Sequence, residues 1–301
     1  MSRIIKGILL TVFFCQFPFY ASAYTCTTAQ GIVIGPGGGV TNVYVNLTPS
    51  VGVGQNLVVD LSTQIRCHND YPESIKDFVS LRSGSAYGGA LQAFRGSLTY
   101  SGTTYPFPTT SETKSILYDS RTDKPWPTLL YLTATGAAGG VAIKNGDLIA
   151  ILNMHQTNDR GASLEYIWKI YANNDVVIPT GGCDVSSRDV TVNLPVYPAT
   201  QSFNINVHCA QTKTLAYYLT GPTANASNDI FSNVATASPA QGIGVQISNN
   251  NGIVRANNNV LIGQVGSTNT SIPLTASYAR TTGQVTAGSV RSVIGMTFIY
   301  P

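Results

Sequence analysis

Apolar and polar residues alternate along most of this chain, and almost nowhere do they recur at helical spacing. Runs such as "VYVNLTP", "QNLVVDLSTQI", "SLTYSG", "TLLYLTA", "GDLIAILNMH" and "EYIWKIYA" fill the first half. "RDVTVNLPVY", "QSFNINVHC", "LAYYLTG", "GIGVQIS", "IPLTASYAR" and "SVIGMTFIY" fill the second. Gly, Pro, Asn and Ser separate them, so they read as half-buried antiparallel strands joined by turns. Strands recurring about every 8–12 residues favour sandwiches and barrels. The pattern predicts an all-β protein built as two Ig-like β-sandwich or barrel domains.

The first residues break this pattern. Residues 1–23 combine a basic start (Arg3, Lys6), the apolar run "GILLTVFFC" and the small-residue triplet "ASA", which is the layout of a secretory signal peptide. The apolar run is too short to anchor in a bilayer. Cleavage after Ala23 is expected, with Tyr24 as the new N-terminus. Removing Arg3 and Lys6 from 17 basic residues leaves 15 against 14 acidic ones, a net charge of +1. Such a chain is not built to attract nucleic acid or anionic membrane. Loss of Cys15 leaves four cysteines, which in an exported protein read as two disulfides with three possible pairings. Pairing within each half is the simplest. No CxxC occurs and His68, His155 and His208 are scattered, so neither a zinc site nor another cofactor is expected.

The predicted boundary falls at "VVIPTGGC", where Pro179 fixes one backbone angle and Gly181 and Gly182 permit unusual ones. This gives a domain over 24–178, a linker over 179–182 and a second domain over 183–301. The second domain supplies about six strands, one fewer than the simplest Ig sandwich. Its last strand carries Ile294, Met296, Phe298 and Tyr300 on one face, with nothing after it to cover its edge. Such an edge aggregates unless another chain adds a strand. With Cys26 the third residue of the processed chain, there is no free arm to donate. It is expected to accept a strand and not give one.

Candidate chemistry concentrates in "RCHNDYPESIKDF", residues 66–78, within a chain that is only 10% charged. Taken alone, Asn69 and Asp70 are good turn formers, Asp77 could be a surface charge, and Gln156 and Asn158 could be loop residues. A carboxylate pair among Asp70, Glu73 and Asp77 would suit a glycosidase. The same groups would equally serve as acceptors for sugar hydroxyls. No nucleophile–His–acid motif or metalloprotease motif is present in the sequence.

The segments "NVYVNL", "CHNDYPE", "YPFPTTSET", "SRTDKPWP", "AGGVAIK", "YANNDVV", "PTGGCDVS", "YYLTG", "SPAQG" and "GQVTAG", in this order, resemble the two-domain tip adhesins of type 1 fimbriae from the enterobacterial chaperone–usher pathway. The likeness spans the whole processed chain. It implies a non-enzymatic lectin domain that binds terminal α-D-mannose on host glycoproteins, with disulfides Cys26–Cys67 and Cys183–Cys209. It also implies a pilin domain lacking its last strand, which a periplasmic chaperone and then the adjacent fimbrial subunit provide after passage through an outer-membrane usher. The protein would sit at the extracellular fimbrial tip. By resemblance, the Tyr24 α-amino group, Asn69, Asp70, Asp77, Gln156 and Asn158 contact the sugar, and Tyr71 and Ile75 form an apolar rim.

The chain departs from that pattern in "QTNDRGASLEYIW", which is one residue short. Arg160 stands where the family has a rim tyrosine. Ala162 or Ser163 replaces a sugar-binding aspartate, Leu164 a phenylalanine, and Pro36 a rim isoleucine. Losing one charged acceptor costs about 1.5–3 kcal/mol, roughly ten- to a hundredfold in affinity. The alternatives are another sugar on the same architecture, a glycosidase, or a purely structural pilin.

Overall fold

The computed structural model describes residues 23–34 and 39–301. Most of the expected signal segment and Pro36 lie outside these described residues. Among them, the only helical turns are two short 3-10 segments, Leu61–Thr63 and Gly89–Leu91, and no helix is long and apolar enough to cross a membrane.

Two hydrophobic cores form, each on the inward positions of its own alternating strands. One gathers residues between Tyr24 and Ile178 around Trp126 and Trp168; the other gathers residues between Cys183 and Phe298, joined by Ala137 from the first half. Each core holds one disulfide, Cys26–Cys67 or Cys183–Cys209. Both bridges close strand pairs in which the two cysteines face each other in register.

In the first half the central sheet runs Ile116–Tyr118, Asp77–Leu81, Leu148–Asn158, Ser163–Ala172, Gly39–Val45. Its last pair is parallel. A second sheet joins Gln55–Asp60, Thr128–Thr133, Gly96–Tyr100 and Thr103–Phe107. A third carries Ile65–Asn69 beside Tyr24–Thr28, and this one brings the N-terminal strand against "RCHND".

In the second half, Lys213–Thr220 pairs with Val260–Val265 on one side and with the final strand Gly295–Ile299 on the other. No described strand pairs with the far edge of Gly295–Ile299. Phe298 is buried there, while Ile294 and Met296 are only partly covered. The expected strand "RDVTVNLPVY" forms no ladder. Its alternation survives only in the middle, where Val192 and Leu194 rest on the core between exposed Thr191 and Asn193, while Val190 and Val196 at either end are exposed. A strand also needs a backbone partner, and among the described residues this segment meets a side chain instead: Tyr278 donates its hydroxyl to Pro195 O (2.8 Å) and packs on Tyr197.

The expected hinge is held from several directions. Asn56, fully buried, donates through Nδ2 to the carbonyls of Pro179 (2.9 Å) and Gly181 (2.8 Å). Thr180 N donates to Gly139 O, and Cys183 N to Ala137 O. A Cβ on Gly181 would stand 2.4 Å from Ala137 O, so the glycine is required for close approach of two backbones.

Candidate functional site

Strand register collects the expected residues at one end of the first half. Tyr24 faces Asn69 across one pair and Asp77 faces Asn158 across another. Between the strands ending at Asn69 and beginning at Asp77, residues 70–76 form a tight loop. Asn69 Oδ1 accepts from Tyr71 N (2.8 Å), and the amides of Ser74 and Ile75 both bond to Tyr71 O. This is Asx-type turn chemistry. The turn-former reading therefore applies to Asn69.

Asn69 is fully buried, and its Nδ2 donates to Ile75 O (2.8 Å), Tyr118 O (3.0 Å) and Asp77 Oδ2 (3.2 Å). Its main work is to shape the loop and aim the aspartate. Asp77 is fully buried as well, so it is no surface charge, and Gln156 Nε2 donates to its Oδ1 (2.9 Å). Burial pushes the Asp77 carboxyl above the usual carboxylate range. Bonds from Gln156 and the Ala23 amide oppose that shift, while the charges of Asp159 and Asp70 add to it.

Asp70 is half-exposed. Thr25 Oγ1 donates to its Oδ2 (2.6 Å), and its Oδ1 lies 3.0 Å from His68 Nε2. The other ring nitrogen of His68 meets Asp123 Oδ1 at 2.8 Å. Partial burial disfavours the charged imidazole, but bonds from Asp123 and Asp70 outweigh it and raise the His68 pKa. Thr25, His68 and Asp123 had no signal of their own in the sequence. The register pairing Thr25 with His68, and that pairing Lys124 with Cys67, bring them together.

The Tyr24 side chain points inward, with its hydroxyl 3.1 Å from Cys67 Sγ and its ring edge-on to Tyr118 at 4.8 Å. Burial, followed by the neighbouring tyrosines, holds that phenol well above its ordinary pKa. Ala23, just ahead of it, is fully buried. Its carbonyl accepts from Asp70 N (2.7 Å), and its amide bonds Asp77. Ala23 thus links the Asp70 backbone to the Asp77 carboxyl.

Asn158 turns its Oδ1 to its own loop, accepting from Arg160 N (3.0 Å) and Ala162 N (2.9 Å). That loop is zipped to residues 74–76: Lys76 N donates to Asp159 Oδ1 (3.0 Å), Asp159 N to Lys76 O (3.2 Å), and Arg160 Nε to Ser74 O (2.7 Å). Asp159 therefore braces the loops. Tyr71 is 57% exposed and Ile75 partly so, which suits a rim. Glu73 is exposed and paired with Arg121 at 3.0 Å.

The fold does assemble one nucleophile–His–acid chain that the sequence did not reveal. Ser163 Oγ lies 3.0 Å from His155 Nε2, and His155 Nδ1 lies 2.6 Å from Glu112 Oε1. These side chains alternate with buried Gln156 and so lie on the opposite face of the strand. Glu112 Oε1 also accepts from Ser80 Oγ (2.6 Å), and Arg82 stands beside its other oxygen. The network braces neighbouring strands outside the Asp77 cup. No group of His, Cys, Asp and Glu among the described residues could hold a metal ion.

What the cup offers is a buried carboxylate, Asp77, fixed by side-chain amide donors that do not titrate, and beside it the half-exposed carboxylate of Asp70, held by Thr25 and His68. Such groups recognise a neutral polyhydroxyl ligand by accepting its O–H donors, and they count for most where water is excluded.

Comparison with known proteins identifies the family. The family model described as FimH, mannose binding matches residues 26–169, and that of the fimbrial protein matches residues 176–300. The type 1 fimbrin D-mannose specific adhesin of Escherichia coli strain K12 is 58% identical over the full length of both chains. The S-fimbrial protein subunit SfaH of a uropathogenic E. coli is 37% identical over 87% of this chain and 92% of its own. With a mannose-binding-type domain followed by a fimbrial domain, on an all-β scaffold with a disulfide in each half, the chain belongs to the type 1 fimbrial adhesin family.

Proposed function

We propose that this protein is a fimbrial tip adhesin whose cup binds terminal α-D-mannose on host glycoproteins, and that it catalyses no reaction. The observation that carries the reading is the convergence of Asp70, Asp77, Asn69, Gln156 and Asn158 at one end of the domain, around a peptide that cleavage would remove. Ala23 occupies the space beside Asp77, with its N–H on that carboxyl and its C=O on the Asp70 amide. Cutting after Ala23 vacates that space and leaves the Tyr24 α-amine as a cation beside Asp77 and Asp70. Tyr71 and Ile75 supply the apolar wall beyond the sugar.

The domain over 183–301 accepts a strand along the open edge of Gly295–Ile299, first from a periplasmic chaperone and then from the adjacent subunit delivered through an outer-membrane usher. The partly covered Ile294 and Met296 and the segment 188–197, which forms no ladder, support this reading. Residues 179–182 form the linker, and export through the periplasm places the protein at the extracellular tip. The experiment is a glycan array probed with fimbriae that carry this chain. Selective retention by terminal mannosides supports the reading, and retention by another sugar, or by none, overturns it. Incubation with an aryl mannoside that released the aryl group would establish an enzyme instead.

A further inference from the structure

We infer that Arg160 is a specificity residue that selects mannosides carrying a carboxylate just beyond the terminal sugar. The inference rests on the mannose reading of the cup and concerns only what lies at its lip. Arg160 is exposed, yet it is fixed at two points: its backbone N–H bonds Asn158 Oδ1 and its Nε bonds Ser74 O at 2.7 Å. Asn158 and Ser74 belong to the two loops that flank the cup, so the guanidinium lies along the rim that carries Tyr71 and Ile75.

Its charge is not cancelled locally. Among the described residues no carboxylate forms an ion pair with Arg160. The two nearest in sequence or loop are already engaged: Asp159 accepts from Lys76 N, and Glu73 pairs with Arg121. Lys76, exposed at the foot of the same loop contact, adds a second cation without an ion pair. With Nε held by a carbonyl, the end of the guanidinium carrying its two terminal nitrogens remains for a ligand. That edge is planar and presents two parallel donors, a match for carboxylate geometry. Pre-fixing the side chain also lowers the entropy lost on pairing.

The test compares two mannosides that differ only in charge, a carboxyphenyl α-mannoside and its methyl ester, competing for purified fimbriae carrying this chain. The carboxylate should bind about two- to fivefold more tightly than the ester at low salt, the range of an exposed ion pair. The preference should vanish near 1 M salt, where the Debye length is about 3 Å. It should also vanish in Arg160→Gln and shrink in Arg160→Lys, each read as the ratio of carboxylate to ester affinity within the same variant. Equal preference in wild type and Arg160→Gln overturns the assignment to Arg160 and leaves the mannose reading standing. Failure of both mannosides to bind overturns the mannose reading, and the inference with it.

Discussion

Replacing Asp77 by Asn separates ligand binding from folding with one atom. Three donors reach this buried carboxylate: Asn69 Nδ2, Gln156 Nε2 and the Ala23 amide. Loss of the charge removes an acceptor from a dry recess, which costs a bound ligand about 1.5–3 kcal/mol, or roughly ten- to 150-fold in affinity. The fold should tolerate the change. Asn69 Nδ2 keeps Ile75 O and Tyr118 O, and Gln156 can rotate its amide so that its oxygen accepts from the new side chain. The midpoint of unfolding should therefore move by less than about 4 °C, the shift expected for roughly 1 kcal/mol in a domain of this size. Calorimetric titration with methyl α-mannoside, paired with a thermal melt, reads both quantities. Glu73→Ala is the control, because its partner Arg121 is exposed and the change should leave affinity intact. Normal mannose binding by Asp77→Asn would refute the argument. Lost binding together with a fall of many degrees would assign Asp77 to the fold instead.

Restoring the missing aspartate should work at one of two candidate positions: Ala162→Asp strengthens mannose binding and Ser163→Asp does not, because Ser163 points at His155 while Ala162 bonds Asn158 on the cup side. Isothermal titration of both variants decides it. For His68, a folded pKa above the unfolded value of about 6.5 means its stabilisation is full below that value and is lost as pH rises through the folded pKa. The difference in melting temperature between wild type and His68→Gln should therefore be larger near pH 5.5 than near pH 8.5. Residues 24–301 alone should be poorly soluble and rescued by a donor-strand peptide; a stable monomer without any partner would count against the open edge. Removing the Cys26–Cys67 bridge, whose sequence separation is 41, should cost about 4 kcal/mol by loop entropy, measured by chemical denaturation.

Much of this architecture is legible before any coordinates. The alternating runs around "DLIAILNM" and "EYIWKIYA" become the long strands Leu148–Asn158 and Ser163–Ala172. The disulfides follow the separation of the halves. What stays hidden depends on register or on side-chain direction. Asn69 and Asn158 look like ligand groups in sequence, but each spends hydrogen bonds on loop backbone, which only the turn geometry reveals. Pairing gives Ser163 a direction the sequence does not: it faces Thr157 and lies with His155 on the outer face. "RDVTVNLPVY" has a strand's pattern and no ladder, because pattern reports burial while pairing requires a neighbour. "PTGG" has a hinge's composition, yet the buried Asn56 two sheets away in sequence ties it down.

The long strand Leu148–Asn158 has the cup at one end and, at the other, Leu148 paired with Tyr171, just before the chain turns toward residues 176–179. Eleven residues at about 3.4 Å each put these ends some 35 Å apart. An adhesin gripped at the cup and towed from its linker is thus loaded along its strands. Flow drag would try to slide Leu148–Asn158 past Ser163–Ala172, and that strand past its parallel neighbour Gly39–Val45, so the cross-strand bonds resist together in shear. A peeling geometry would break them one at a time. The mechanical weak points are then the short ladder between Gly140–Ile143 and Val176–Pro179 and the linker contacts below it. Tension would give way there first, well away from the sugar.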